Sequence, residues 1–279
     1  MDQFKGQRKV SKCCKFFSLT RQAYYKYYNS QESGEPLRKY VRQIVKQTRA
    51  QHPKMGTLKL HSLINKSLDN AMCKVGRDKL FSILRDEGLL IRRKRRFIVT
   101  TQSKHRFYKY KNLIKDWKPT GPHQLVVGDI TYLRIKKGFC YLFLLTDAYS
   151  RKIVGWDLNS SLGLTGTLNA ARMAIRQCPN PMGLIHHSDR GIQYCANEYV
   201  NLLEGNKIKI SMGEAGNCYE NAMAERINGI LKHEYGLDST FNNQKEALKA
   251  VREAIDLYNN KRPHLALKFK TPGEVHIAA

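Results

Sequence analysis

Asp129, Asp189 and Glu225 are the residues of this chain whose types and placement could do chemistry. Fifty-nine residues separate the first two and thirty-five the last two. Asp129 sits inside the apolar, strand-like run Leu125-Val126-Val127-Gly128-Asp129-Ile130-Thr131-Tyr132-Leu133, and Asp189 closes a second such run, Gly183 to Ser188. A carboxylate in a buried strand costs several kcal/mol unless it is paired or binds a metal. Carboxylates that converge are hard oxygen donors suited to Mg²⁺ or Mn²⁺. Two such ions held together assist displacement at a phosphate.

Glu225 falls in a stretch of helical periodicity, Asn217 to Tyr235. Asn221, Glu225, Asn228 and Lys232 step by four, three and four, so they share one face. Met223, Ile227, Ile230 and Leu231 supply the packing side. Lys232, two turns beyond Glu225, is placed to meet a DNA phosphate. An ordinary amphipathic helix with a polar stripe has the same periodicity. Asp147, Glu214 and Glu220 are further acids near these segments.

The net charge of +26 is unevenly spread. Residues 1–123 hold 30 Lys and Arg against 8 Asp and Glu, and residues 124–279 hold 19 against 15. A strongly basic front half on a near-neutral back half predicts a polyanion partner. An anionic membrane surface would favour a basic amphipathic helix, and none stands out. A ribosomal location would leave the carboxylates unexplained. No apolar run reaches the roughly 18 residues of a membrane span, and the N-terminus lacks an apolar signal core. The expectation is a protein of the cytoplasm, or of the nucleus in a cell that has one. The seven cysteines form no Cys-x-x-Cys pair, so reduced, partly buried thiols are expected rather than a zinc site.

Residues 1–29 read as part of a helix-turn-helix, with Thr20 as N-cap of the second helix and Arg21, Gln22 and Lys26 facing outward. Residues 30–36, Ser-Gln-Glu-Ser-Gly-Glu-Pro, read as a linker. Residues 37–96 read as a helical DNA-binding bundle, with helices over 37–52, 57–67 and 77–87. It ends in the basic run Arg92, Arg93, Lys94, Arg95 and Arg96, a candidate DNA-backbone contact. Residues 97–123 read as a basic linker in which Phe107, Tyr108 and Tyr110 alternate with Lys and Arg.

Residues 124–279 read as the core. Strands are predicted at 125–135, 139–146, 152–157, 183–187 and 208–211, with helices at 164–178, 193–204, 217–235 and 243–259. Three antiparallel strands followed by alternating helix and strand describe an α/β fold, a ribonuclease H-like core. It would have a mixed five-stranded sheet with helices on both faces, preceded by a small all-α helix-turn-helix-like region. In that topology the first strand lies beside the fourth, which lets Asp129 approach Asp189.

The residues resemble the integrase-core transposases of bacterial insertion sequences, the OrfB type of the IS-three superfamily, relatives of retroviral integrases. The resemblance rests on Asp129-Ile130-Thr131-Tyr132, on Asp147 to Trp156 and on His187 to Tyr194. Gly216 to Glu225, Leu231-Lys232, Tyr258 to His264 and Thr271-Pro272 continue it. Gly128 replaces a bulkier residue, and Glu220 stands where the family usually has Asp.

This resemblance implies that Asp129, Asp189 and Glu225 form an acidic triad holding two Mg²⁺ ions, with Mn²⁺ able to substitute. It makes Asp147 a turn residue. It implies DNA 3′-end nicking followed by strand transfer, in transposition and integration of an insertion sequence. Asn221, Asn228, Lys232, Arg262 and His264 are then DNA-contact candidates beside Arg92–Arg96. The implied partners are double-stranded DNA at the element ends and target, and a homo-oligomer of at least two chains. A further implied partner is an upstream DNA-binding frame joined by frameshifting, since no sustained heptad run is present. The implied place is the bacterial cytoplasm, at the nucleoid. Two other readings remain open, a non-catalytic DNA-binding regulator of transposition and a ribonuclease H-type nuclease without strand transfer.

Overall fold

The computed structural model describes residues 10–68, 75–91, 106–115, 117–213 and 222–278. The front region holds α1 (Val10–Phe16), α2 (Arg21–Gln51), α3 (Thr57–Leu68) and α4 (Arg77–Asp86). Thr20 caps α2, its hydroxyl accepting from the Ala23 amide at 3.0 Å. Val41 and Val45 of α2 pack on Leu60 and Ile64 of α3 and on Leu80, Ile83 and Leu84 of α4. The three-and-four spacing of these residues gives each helix one apolar stripe, and the stripes bury one another. Gly88, at φ 64°, turns the chain out of α4.

The expected linker at 30–36 is not a break, because α2 runs through it and carries Pro36 internally. Its Ser, Gln and Glu residues tolerate a helix. Only Gly34 and Pro36 oppose one, and flanking segments that share an axis outweigh that local preference. The expected linker at 97–123 is also corrected over its described part. Residues 110–114 lie against the core, where Leu113 N–H donates to Ser211 Oγ at 2.9 Å and Met212 N–H donates to Lys111 O.

The core is built on β1 (Leu125–Ile135), β2 (Gly138–Asp147), β3 (Ile153–Asn159), β4 (Ile185–Ser188), β5 (Lys209–Met212) and β6 (Thr240–Phe241). Strand order is β3-β2-β1-β4-β5, and β6 pairs with the far end of β1. The sheet therefore has six strands rather than the expected five, the sixth a two-residue strand too short to show periodicity. β1–β2–β3 pair antiparallel, while β4 runs parallel to β1 and β5.

One face is covered by α5 (Leu164–Gln177), α6 (Ile192–Cys195) and α7 (Asn197–Gly205). There Val126, Phe143 and Leu145 bury against Ala170, Ala174, Tyr199 and Leu203. The other face is covered by α8 (Ala222–Glu234) and α9 (Gln244–Asn260), which pack Ile227, Leu231, Val251 and Ile255 on Leu133, Leu142 and Leu144. The short α10 (Pro272–Ile277) closes the described chain with a Thr271–Glu274 capping box. Each large side chain so buried contributes about 1.5–3 kcal/mol. Among the described residues no helix is long and apolar enough to cross a membrane.

Asp147 is the turn residue that the motif implied. Its carboxylate accepts from Ser150 N–H, Ser150 Oγ–H and His123 N–H, each at 2.8 Å. It thereby ties the β2–β3 turn to the start of β1.

β3 and α5 approach so closely that Gly155 has no room for a side chain. A Cβ there would lie 2.2 Å from the Ala170 carbonyl oxygen, a backbone atom. Gly155→Ala is therefore expected to destabilise the chain by about 1–3 kcal/mol. Urea denaturation checks this, and an unchanged midpoint would refute the packing.

Candidate functional site

β1 and β4 bring the two aspartates together. Val127 pairs with His187 in the parallel register, so two residues on Asp129 stands level with Asp189, just past the end of β4. The parallel pairing thus sets Asp129, the fifth of the eleven residues of β1, beside Asp189 at the carboxyl end of β4. β1 is the central strand because its apolar alternation serves both faces, and that is why Asp129 is forced into a half-buried position.

Gly128 lets this happen. A Cβ there would meet Leu145 at 3.0 Å and His186 and Tyr194 at 3.2 Å. The departure from a bulkier residue is therefore matched by the close approach of the Tyr194 and His186 rings. His186 in turn bonds Tyr199 Oη at 2.9 Å, and burial pushes its pKa down to about 3.

The carboxylates are held by local donors. Asp129 Oδ1 accepts from Ile130 N–H at 2.9 Å, and Asp129 Oδ2 from Asn228 Nδ2 at 2.6 Å. Asp189 Oδ1 accepts from Gly191 N–H at 3.0 Å. Asp129 is pushed up to about 7, first by burial and then by the negative charge of Asp189. Its two hydrogen bonds oppose that shift, and Glu225 adds the smallest push. The two aspartates and the residues Thr131, Tyr132, Tyr141 and Gln193 line one cleft.

Glu225 lies in the first turn of α8, on its exposed side. Among the described residues no three His, Cys, Asp or Glu side chains are gathered closely enough to share a metal ion. The structure thus joins Asp129 to Asp189 and leaves Glu225 beside the pair. Asn221 and the run Arg92–Arg96 lie outside the described residues.

The other candidates divide. Lys232 lies over the Tyr132 ring, 4.5 Å from its centroid, with its pKa lowered by burial and partly restored by Asp129. Asn228 is 6% exposed and spends its amide on Asp129, so it acts on the acid rather than at the surface.

Arg262 and His264 are corrections. Arg262 is 1% exposed and forks onto Glu234, with Nε–Oε2 at 2.8 Å and Nη2–Oε1 at 2.9 Å. His264 is 8% exposed, edge-on to Tyr258, with its pKa lowered to about 3 by burial and by the Arg262 charge. A side chain enclosed by the fold cannot reach DNA from there. Their motif marks a structural joint that spacing could not distinguish from a binding surface.

Gly191, Tyr141 and Gln193 were missed as cleft residues. Gly191 and Gln193 sit within four positions of Asp189, which was the available signal. Tyr141 reaches the cleft only through β1–β2 pairing, opposite Tyr132.

The raised pKa of Asp129 has a measurable consequence. Between about pH 4 and pH 7 the folded chain keeps a proton on Asp129 that the unfolded chain has released. Stability therefore falls as pH rises through that window. Asp129→Asn removes the ionisation, and its melting temperature is expected to fall less across the same window. At about pH 8 it should exceed the wild type by on the order of 1 kcal/mol or more. Calorimetry at several pH values checks this, and parallel pH slopes for the two proteins would refute it.

Two family models, each described as an integrase core domain, match residues 119–218 and 206–272. An insertion element IS600 31 kDa protein of Shigella sonnei is 35% identical over 93% of this chain and 95% of its own length. The transposase for insertion sequence element IS629, from the same organism, is 32% identical over 77% of this chain and 71% of its own length. Transposase InsF for insertion sequence IS3A of Escherichia coli is 35% identical over 54% of this chain and 53% of its own length. By these matches, the chain belongs to the integrase-core family of insertion-sequence transposases.

Proposed function

We propose that this chain catalyses metal-dependent nicking of DNA 3′ ends and strand transfer in the transposition of an insertion sequence. The observation that carries the reading is Asp129, within the central strand, level with Asp189 just past the end of the neighbouring strand, beside a helix bearing Glu225, Asn228 and Lys232.

The residues fit a divalent ion. Asp129 and Asp189 are hard oxygen donors, and their mutual repulsion is the kind a bound cation relieves. Asn228 Oδ1 is buried with no hydrogen-bond donor among the described residues, so one more polar partner can be received at Asp129. Asp129 and Asp189 would hold Mg²⁺, and Glu225, which is not gathered with them in this structure, would join them in the full arrangement of two ions, with Mn²⁺ as substitute. Bound there, the metal supplies Lewis-acid stabilisation of phosphoryl oxygens and a nucleophile at neutral pH.

The protein's own share is positioning. Asn228 fixes the Asp129 carboxylate, and the Gly191 amide fixes that of Asp189. Lys232, held over Tyr132, offers a cation to the scissile strand's phosphates. The basic front region would track duplex DNA. Acting on two element ends implies at least a dimer on DNA. Fusion to an upstream DNA-binding frame, and a location at the nucleoid, complete the proposal.

Labelled element-end duplex with Mg²⁺ is the test. The wild type is expected to give nicked and joined products. Asp189→Ala and Glu225→Gln should each lose about 10³-fold or more, corresponding to about 4 kcal/mol of transition-state stabilisation. Undiminished activity in either variant would remove that residue from the site. Nicked products that are never joined would favour a nuclease without strand transfer.

Asn228→Ala should reduce nicking by about 10–100-fold, as losses of a residue that orients a metal ligand do. Mg²⁺ should raise the melting temperature of the wild type and not of Asp129→Asn. Equal shifts would place the metal elsewhere.

A further inference from the structure

The helix that carries Glu225 is fastened at its other end by the front bundle. Glu234 is the last residue of α8, nine positions from Glu225 and about 13 Å along the axis at 1.5 Å per residue. An anion at a helix C-terminus opposes the macrodipole, so the helix alone does not favour a buried charge there. Two cations hold it in place. Arg262, from the segment after α9, forks onto its carboxylate, and Lys59 of α3 reaches Oε1 at 3.0 Å.

The same corner supplies three further contacts. Lys54 N–H donates to the Glu234 carbonyl at 3.2 Å, satisfying a helix-end acceptor that α8 cannot satisfy itself. His52 Nδ1 lies 3.1 Å from Tyr235 Oη, and Lys54 Nζ lies 3.8 Å from Asp238. One short segment, 52–59, therefore supplies two side-chain ion pairs, a backbone cap and a ring hydrogen bond to residues 234–238. The DNA-facing role expected for the bundle does not require any of them.

We infer that residues 52–59 form a latch on the far end of α8, and that Lys59 and Glu234 are positioning residues for Glu225. A helix behaves as a stiff rod over three turns, so fixing Glu234 restrains α8 against sliding and tilting. Glu225, on the exposed first turn, makes no hydrogen bond or ion pair among the described residues that would replace that restraint. Loosening the latch would let α8, and Glu225 with it, shift relative to the Asp129–Asp189 pair while the sheet and both aspartates stay in place. The kinetic side of this inference rests on the phosphoryl-transfer reading above, and its structural side does not.

The experiment uses the full chain with Lys59→Met, which leaves the Arg262–Glu234 pair intact, and with Lys59→Arg as the charge-preserving variant. Tyr235→Phe, which deletes one hydroxyl, is the second probe and decides the matter if Lys59→Met fails to fold. Single-turnover nicking of element-end duplex is measured at saturating DNA, duplex affinity separately, and hydrogen exchange along α8 by mass spectrometry.

Lys59→Met is expected to slow the saturated rate about 10- to 100-fold, as a misplacement of about 1 Å at a reacting group does. Duplex affinity should stay near the wild-type value, and Lys59→Arg should recover the rate. Exchange should quicken through to the first turn of α8, in Lys59→Met and more weakly in Tyr235→Phe. Quickening confined to residues 52–59 and 234–238, or an unchanged saturated rate, overturns the latch. If the wild type does not nick DNA at all, the catalytic reading fails, and the reach of the exchange effect along α8 alone decides the inference.

Discussion

A carboxylate in the middle strand of the sheet sets the terms for the rest of this molecule. Asp129 is flanked by apolar residues that bury on both faces, and a second aspartate stands level with it on the neighbouring strand. Burial and repulsion together push it toward neutrality. The surrounding structure answers with hydrogen bonds from Ile130 and Asn228, with Lys232 close by, and with a glycine at 128 that admits two aromatic rings. A site kept short of positive charge in this way is built to receive it.

That constraint explains why α8 matters more than its length suggests. Its apolar stripe, Ala224, Ile227 and Leu231, fixes its rotation on the sheet. With that rotation fixed, Asn228 points at Asp129, and Lys232 extends to Tyr132. Glu225 remains on the open side. The fixed end of the helix lies at Glu234, where the core's Arg262 and the bundle's Lys59 meet one carboxylate. The active-site helix is thus also the joint between the two halves of the chain.

Much of the core was legible beforehand. β1 was read at its full extent, because eleven residues of apolar and β-branched character end at the Lys136-Lys137-Gly138 turn. The helices of the bundle followed from three-and-four spacing and from Thr20, Pro53 and Gly88. The break between α6 and α7 was not legible. Ala196 has neither the freedom of Gly nor the missing donor of Pro, so nothing local announces its extended conformation. The passage of α2 through Gly34 and Pro36 was missed for the opposite reason, since strong local signals were overruled by the segments on either side.

The sequence by itself determined the chemistry available. It placed one aspartate in a strand and a second at a strand's end, put Glu225, Asn228 and Lys232 on one helical face, and made the front half basic. Those facts rest on residue type and on periods of two and 3.6, which are local properties. Tertiary structure decided which of these groups meet. Parallel pairing of β1 with β4 set Asp129 level with Asp189, and docking of α8 turned Asn228 from a surface candidate into a ligand of Asp129. Packing after α9 turned Arg262 and His264 inward, away from any DNA. Contacts between residues a hundred or more positions apart, such as that of Lys59 with Glu234, leave no trace in local spacing. They exist only once the chain has closed on itself.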